Sequence, residues 1–197
     1  MKIVLLNGPP RCGKDTVGNM MARMIPGAWV EKFAAPLKAM TVAAIREMME
    51  PGSAPRLYEN EKDSPDIPEF RGVTPRQAYI QMSESWAKKL WGPGFFGELL
   101  VERLSAACNF PPPAIIVTDC GFLPEVQEVL DAFPGDVELI HIVRPGCSFD
   151  GDSRDYVFPA NLSPFTLFND GGLNALRTNV AELLEILDIP CEETQPK

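Results

Sequence analysis

The sequence predicts an α/β fold, a parallel sheet covered by helices on both faces, and three observations carry that expectation. Apolar strand-like runs alternate with helix-like segments, the first run leads straight into a glycine-rich loop, and 197 residues with 45% hydrophobic content suffice for one core. One domain over residues 1–191 with one active site follows, and 192–197 read as a frayed tail.

Lys2 to Asn7 has the length of one strand, and Gly8-Pro9 stops it. A helix from about Asp15 to Met24 is ended by Pro26-Gly27. A short strand, Trp29 to Phe33, precedes a helix from about Pro36 to Met49. Residues 50–73 carry Pro51, Pro55, Pro65 and Pro68 among mixed charges and read as a long irregular excursion, a kind of loop that compact domains keep for function. Thr74-Pro75-Arg76-Gln77 is a helix start: Thr74 is the cap, Pro75 the first helical residue, and Gln77 reaches back to the cap. That helix runs to about Trp91, and Gly92-Pro93-Gly94 separates it from another that ends near Ala107. Residues 50–110 therefore form a helical insertion on the substrate side. A strand over Ala114 to Thr118, a helix from Pro124 to Ala132 and a strand over Val137 to Val143 follow. An irregular stretch rich in Asp, Pro and Phe then leads to a closing helix from Leu173 to Leu187, and residues 144–172 are the expected lid.

The net charge is −9, unevenly spread. Residues 1–103 hold 14 Lys and Arg against 12 Asp and Glu, and residues 104–197 hold 4 against 15. A polyanionic substrate is expected to touch the first half, while the acidic half also reads simply as solvated surface. The five cysteines are odd in number, with no CxxC pair and no histidine companions, so reduced thiols of a cytoplasmic protein are expected, without structural zinc. His141, the one histidine, sits inside a strand pattern and reads as a strand residue. The N-terminal run is too short for a signal peptide, and no stretch is apolar for long enough to span a bilayer.

Gly8-Pro9-Pro10-Arg11-Cys12-Gly13-Lys14-Asp15-Thr16 has Walker A spacing, two glycines bracketing four residues with a lysine after the second. Glycines let the backbone N–H groups turn toward phosphate oxygens, and the following helix presents its positive end to the same anion. Lys14 is placed to reach the β- and γ-phosphates of ATP. Asp15 stands where the Mg2+-binding hydroxyl is ordinarily found and moves that hydroxyl to Thr16. Nucleoside monophosphate kinases show the same displacement, with a proline two residues after the first glycine, as Pro10 is here. The fold expected is thus a P-loop NTPase of that kind.

Asp119 ends the strand run 114–118 and has three open readings: a carboxylate orienting Mg2+, a proton acceptor, or the cap of the helix near Pro124. Thr16, Asp15 and Asp119 are the metal-side candidates. Arg144 and Arg154 are candidate cations for the transferring phosphoryl group, or else parts of an exposed salt-bridged loop. The middle helices mix Arg71, Arg76, Lys88, Lys89 and Arg103 with Tyr79, Trp86, Trp91, Phe95 and Phe96, a composition suited to a nucleotide or an unstacked base. Tyr79, Met82, Trp86 and Leu90 nevertheless share one α-helical face, and Glu84 with Lys88 is a favourable pair, which suits core plus surface equally well.

Taken together, Gly13-Lys14-Asp15-Thr16, Phe33-Ala34-Ala35-Pro36-Leu37-Lys38 and Thr74-Pro75-Arg76-Gln77 resemble the phage deoxynucleoside monophosphate kinases over most of the chain. Met82-Ser83-Glu84 and Asp119-Cys120-Gly121-Phe122 depart from that pattern, the second by losing an arginine. A phosphate acceptor needs arginine clamps, whereas a hydroxymethyl acceptor must shed a proton and benefits from a carboxylate. With Asp15, Glu84 and Asp119 kept, the chain looks more like the phage 5-hydroxymethyluridine DNA kinases. That resemblance implies ATP with Mg2+, modified DNA as acceptor and a host-cell cytoplasmic location, with Asp15, Glu84 and Asp119 as candidate bases, Asp119 first and Glu84 second; Lys14, Asp119, Glu84 and Arg154 are the catalytic candidates. Phosphorylation of free dNMPs and a non-catalytic ATP-binding module are the alternatives.

Overall fold

The computed structural model describes residues 1–46, 58, 61–107 and 110–192. Five parallel strands form one sheet in the order β2-β3-β1-β4-β5, with β1 at Lys2–Asn7, β2 at Trp29–Glu31, β3 at Ala114–Cys120, β4 at Val137–Val143 and β5 at Phe165–Phe168. The central strands read as nearly continuous apolar runs because both faces are covered. Val4, Leu6, Ile116, Ile140 and Ile142 pack on one face against Val17, Met21, Val180 and Leu184. Their neighbours Ile3, Leu5, Ile115, Val117 and Leu139 pack on the other against Leu100, Leu104, Val126 and Val129. Period-two alternation thus divides the core between α1 (Lys14–Met24) and α7 (Leu173–Ile186) on one side and α5 (Phe95–Ala107) and α6 (Leu123–Ala132) on the other.

The helix expected over Pro36 to Met49 is α2, Ala35–Ile45, and the rest of that span beyond Arg46 lies outside the described residues. So do residues 50–57 and 59–60 of the excursion at 50–73, whose described part contains a 3-10 turn at Pro68–Phe70, and the tail beyond Glu192. Thr74 caps α3 (Pro75–Ile80) in the full reciprocal box with Gln77. The single helix expected to reach Trp91 is instead interrupted by a π-helical stretch, Gln81–Ala87, before α4, Lys88–Trp91. Because i→i+5 bonding adds about one residue to the turn, the buried face becomes Tyr79, Ser83 and Ala87. Trp86 and Leu90, expected on the face of Tyr79, are 43% and 61% exposed.

The stretch between β4 and α7, expected to be irregular, contains β5, an edge strand of four residues paired with Ile140 to Val143. Asn7 fastens the middle of that stretch to the sheet. Its Nδ2 donates to the carbonyls of Cys120 and Asp155, each at 3.1 Å, and its Oδ1 accepts from the Val157 N–H at 2.9 Å. His141 is a buried strand residue whose Nε2 lies 2.9 Å from the Val157 carbonyl, and burial lowers its pKa. No described helix is long and apolar enough to cross a membrane, and the four described cysteines are free.

Candidate active site

The phosphate loop joins the carboxyl end of β1 to α1, in the crevice where the sheet order turns back on itself and where open α/β sheets bind ligands. Gly13 has φ +104°, and Arg11 takes the left-handed region at φ +65°, a conformation that non-glycine residues seldom adopt outside functional turns. Gly8 is required by packing, since a Cβ there would lie 2.7 Å from the Ile142 carbonyl oxygen and 2.8 Å from Cys12 Sγ. Lys14 Nζ donates to the carbonyls of Gly8 at 2.6 Å and Pro9 at 2.8 Å, and burial lowers its pKa. Pro10 and Cys12 complete the curl, with the Cys12 thiol pushed up by burial and hence inert.

One residue that sequence reasoning missed holds this loop. Asn169, just past β5, is buried, and its Nδ2 donates to the Cys12 carbonyl at 2.7 Å. The same Nδ2 sits 2.6 Å from where a Cβ on Gly13 would be, so the amide fills the space that glycine leaves. The Asn169 N–H donates to the Val143 carbonyl at 2.8 Å, which ties the latch to the sheet.

Among the metal-side candidates, Thr16 is exposed in the first turn of α1, where a hydroxyl can meet a cation held by nucleotide phosphates. Asp15 Oδ1 accepts from the Thr118 hydroxyl at 3.0 Å and lies 2.9 Å from Lys32 Nζ. Burial pushes its pKa up, but the Lys32 hydrogen bond and charge and the Thr118 hydroxyl outweigh it and hold the carboxyl below its usual range. Asp119 does not cap α6, which starts at Leu123 without a side-chain cap. Its Oδ1 accepts from the Phe33 N–H at 2.8 Å and its Oδ2 from the Ala34 N–H at 3.0 Å, so it anchors the chain entering α2. Burial raises its pKa in spite of those two donors. No group of three or more His, Cys, Asp or Glu among the described residues is placed to hold a metal by itself. This donor set suits Mg2+, which keeps waters and substrate oxygens and needs few protein ligands.

Beside Asp119 a cleft of about 90 Å³ is lined by Phe33, Ser83, Phe96, Phe122, Glu125 and Arg154. Arg154 Nε and Nη2 pair with the two oxygens of Asp152 at 2.8 and 2.7 Å, and its stem crosses Gly121, where a Cβ would be only 2.6 Å away. Arg144 lies elsewhere: its Nη1 donates to the Arg11 carbonyl at 3.3 Å, against the phosphate loop. Glu84 and Glu125 share Lys88, whose Nζ is 2.9 Å from Glu84 Oε1, 3.3 Å from Glu125 Oε1 and 3.4 Å from the centre of the Phe122 ring. Lys88 is therefore a largely covered counter-ion of the cleft's Glu125 rather than a free surface cation. Arg76 is taken by Asp63, and Arg103 by the carbonyls of Leu99 and Lys32, whereas Lys89 is exposed and forms no ion pair among the described residues. A larger apolar groove, about 720 Å³ between α2 and the π stretch, has no ionisable lining residue and takes no part in this chemistry.

These features define an α/β P-loop NTPase fold with a second, carboxylate-lined cleft next to the phosphate loop. A sugar kinase from Janibacter sp. HTCC2649, solved without ligand, has the same fold, with a TM-score of 0.55 at 14% identity over 96% of this chain and 95% of that one. A gluconokinase from Sinorhizobium meliloti 1021 gives a TM-score of 0.47 at 11% identity over 95% of each chain. A tunicamycin resistance protein from Deinococcus radiodurans gives 0.47 at 10% identity, over 98% of this chain and all of that one. The fold assignment rests on the first of these. No family model matches the chain, and no curated protein does.

Proposed function

We propose that the protein is an ATP-dependent kinase whose acceptor is an alcohol, with the hydroxymethyl group of 5-hydroxymethyluracil in DNA as the acceptor of choice. The observation that carries this reading is the makeup of the cleft beside the phosphate loop. Asp119 and Glu125 line it, and its one arginine among the described residues, Arg154, is neutralised by Asp152. Such a cleft repels a phosphate acceptor but suits a neutral hydroxyl that must lose a proton. The rings of Phe33, Phe96 and Phe122 suit a planar base withdrawn from its stack.

In this reading the loop Gly8–Thr16 and Arg144 bind the ATP phosphates, and Lys14 leaves the Gly8 and Pro9 carbonyls for the β- and γ-phosphates. Thr16 and Asp119 would hold Mg2+, with Asp15 keeping Thr118 and Lys32 in register. Bound Mg2+ would neutralise charge on the phosphates. Arg154 stabilises the transferring group from the acceptor side, and the insertion at 50–110 supplies Ser83, Glu84, Lys88 and Phe96. Within the proposed lid at 144–172, residues 145–154 are the part that can close, because Asn7 pins Asp155 and Val157.

The test is transfer from γ-labelled ATP to 5-hydroxymethyluracil DNA, thymine DNA, free dNMPs, gluconate or no acceptor. Label on hydroxymethylated DNA alone is expected, since thymine offers no hydroxyl to attack. Efficient labelling of dNMPs with none on that DNA replaces this reading with a monophosphate kinase. Label on gluconate would move the acceptor to small polyols. ATP binding without any transfer would leave a nucleotide-binding module.

A further inference from the structure

We propose that Glu125 is the group that takes the proton from the acceptor hydroxyl, held for that task by the Lys88 ammonium it shares with Glu84. The inference rests on the alcohol-kinase reading above and names a residue that the motif at Asp119 does not single out.

Two carboxylates line the cleft, and their surroundings fit them for different work. Both oxygens of Asp119 receive backbone N–H groups that fix the start of α2. Moving a proton onto either oxygen weakens one of those bonds, so protonation of Asp119 loosens the start of α2 even though burial raises its pKa. Glu125 has no such backbone donors among the described contacts. It projects from the first turn of α6, is 4% exposed, and keeps a single cationic neighbour at 3.3 Å. When Glu125 gains a proton, Lys88 retains Glu84 at 2.9 Å, and the ammonium is never left unpaired. The π stretch at Gln81–Ala87 carries Glu84 and leads directly into Lys88, and such stretches recur at functional sites. Gly97 fixes the other side: a Cβ there would lie 2.5 Å from the Glu125 carbonyl, so α5 holds the start of α6 at close quarters.

The charged groups facing Glu125 are Lys88 and Glu84 from the middle helices, Asp119 from β3 and Arg154 from the segment after β4, while α5 presents Phe96. Burial, opposed by Lys88 and aided by Asp119 and Glu84, raises the Glu125 pKa to about 7, where a general base works best at neutral pH. In the step itself the acceptor O–H bond breaks and its proton passes to a Glu125 carboxylate oxygen. The acceptor oxygen bonds to the γ-phosphorus as the bond from that phosphorus to the β,γ-bridging oxygen breaks, and ADP leaves with that electron pair.

The experiment is single-turnover transfer from ATP to the alcohol that the wild type accepts best, across pH, for Glu125→Gln, Glu125→Asp and Asp119→Asn. Glu125→Gln should lower the rate about a hundredfold or more and remove the loss of rate seen below a midpoint of about 7, with ATP affinity unchanged. Glu125→Asp, which keeps the charge and the Lys88 pair, should retain part of the rate and an acid limb, and it carries the test if the glutamine variant fails to fold. A Glu125→Gln enzyme with the wild-type rate and limb, or a limb lost only in Asp119→Asn, overturns the inference and leaves the kinase reading standing. A wild type that labels dNMPs and no alcohol overturns both.

Discussion

Asn169 is the most exacting test of how this phosphate loop is held. Its amide is the only part of the molecule beyond the loop that is seen donating to the Cys12 carbonyl among the described residues, at 2.7 Å, and it fills the space left open by Gly13. Asn169→Ala strands that carbonyl, at a cost of about 1–3 kcal/mol. If all of it appears as lost preorganisation of the loop, ATP binding weakens about 5- to 150-fold. Asn169→Asp is the sharper variant. It keeps the shape but turns an acceptor toward the Cys12 carbonyl and adds a negative charge beside the phosphates, so it should bind ATP more weakly than the alanine variant. Urea unfolding separates the stability loss from the binding loss, and calorimetry gives the affinity. An Asn169→Asp protein that binds ATP as tightly as wild type would refute the latch.

Lys14→Ala should abolish phosphoryl transfer while leaving the melting temperature nearly unchanged, because among the described residues the lysine's hydrogen bonds go to its own loop's carbonyls and Cys12; near wild-type turnover would remove the kinase assignment. Thr16→Val should raise the Mg2+ concentration needed for half-maximal rate, and an unchanged requirement would place the metal elsewhere. The Glu125 pKa rises from 4.5 to about 7 on folding, so its contribution to stability is full below pH 4.5 and is lost as pH climbs through 7, by about 3 kcal/mol. Urea midpoints at pH 5 and pH 8 should therefore differ less in Glu125→Gln than in wild type, and equal differences would contradict the burial argument. If the middle helices face DNA, Lys89→Glu should flatten the salt dependence of binding, and a slope identical to wild type would place the groove elsewhere.

What was legible in the sequence was local. The loop Gly8–Thr16, the box at Thr74 and Gln77, and the alternation that splits the core between two faces of the sheet all lie within a few residues, and all are found. What escaped was set by partners far along the chain. Asn169 reaches Cys12 across 157 residues, and Asp119 anchors Phe33 and Ala34 rather than the nearby helix it was weighed as capping. The π stretch leaves no pattern to read, because Tyr79, Met82, Trp86 and Leu90 satisfy ordinary helical spacing, and only the burial of Ser83 and Ala87 reveals the wider turn. β5 was hidden by its length: four residues among prolines and aspartates carry too little alternation to register as a strand. Glu125 carries no local signal in the sequence, because its burial against Lys88 is set by a residue 37 positions earlier in the chain.

Charge bookkeeping by chain halves pointed a polyanion to residues 1–103, but folding redistributes those charges. Asp119, Glu125 and Arg154, which line the cleft, come from the acidic half, and the ion pairs around them add Asp152 from that half and Lys88 with Glu84 from the basic half. With every group ionised this is four negative charges against two positive, and each cation is already engaged by a carboxylate within 3 Å. A dNMP placed here beside the ATP γ-phosphate would bring a further anion into that field. One like-charge contact at 4 Å costs about 4 kcal/mol at the screening typical of protein sites near the surface. A hydroxymethyl base brings no charge on its reacting arm, and the local negative potential favours release of its proton to a carboxylate only where that carboxylate is reluctant to stay ionised. Glu125 meets that condition, and Asp119, with N–H donors on both oxygens, meets it less well. The surplus of carboxylates that weakens the cleft as a phosphate site is therefore the same property that suits it to an alcohol.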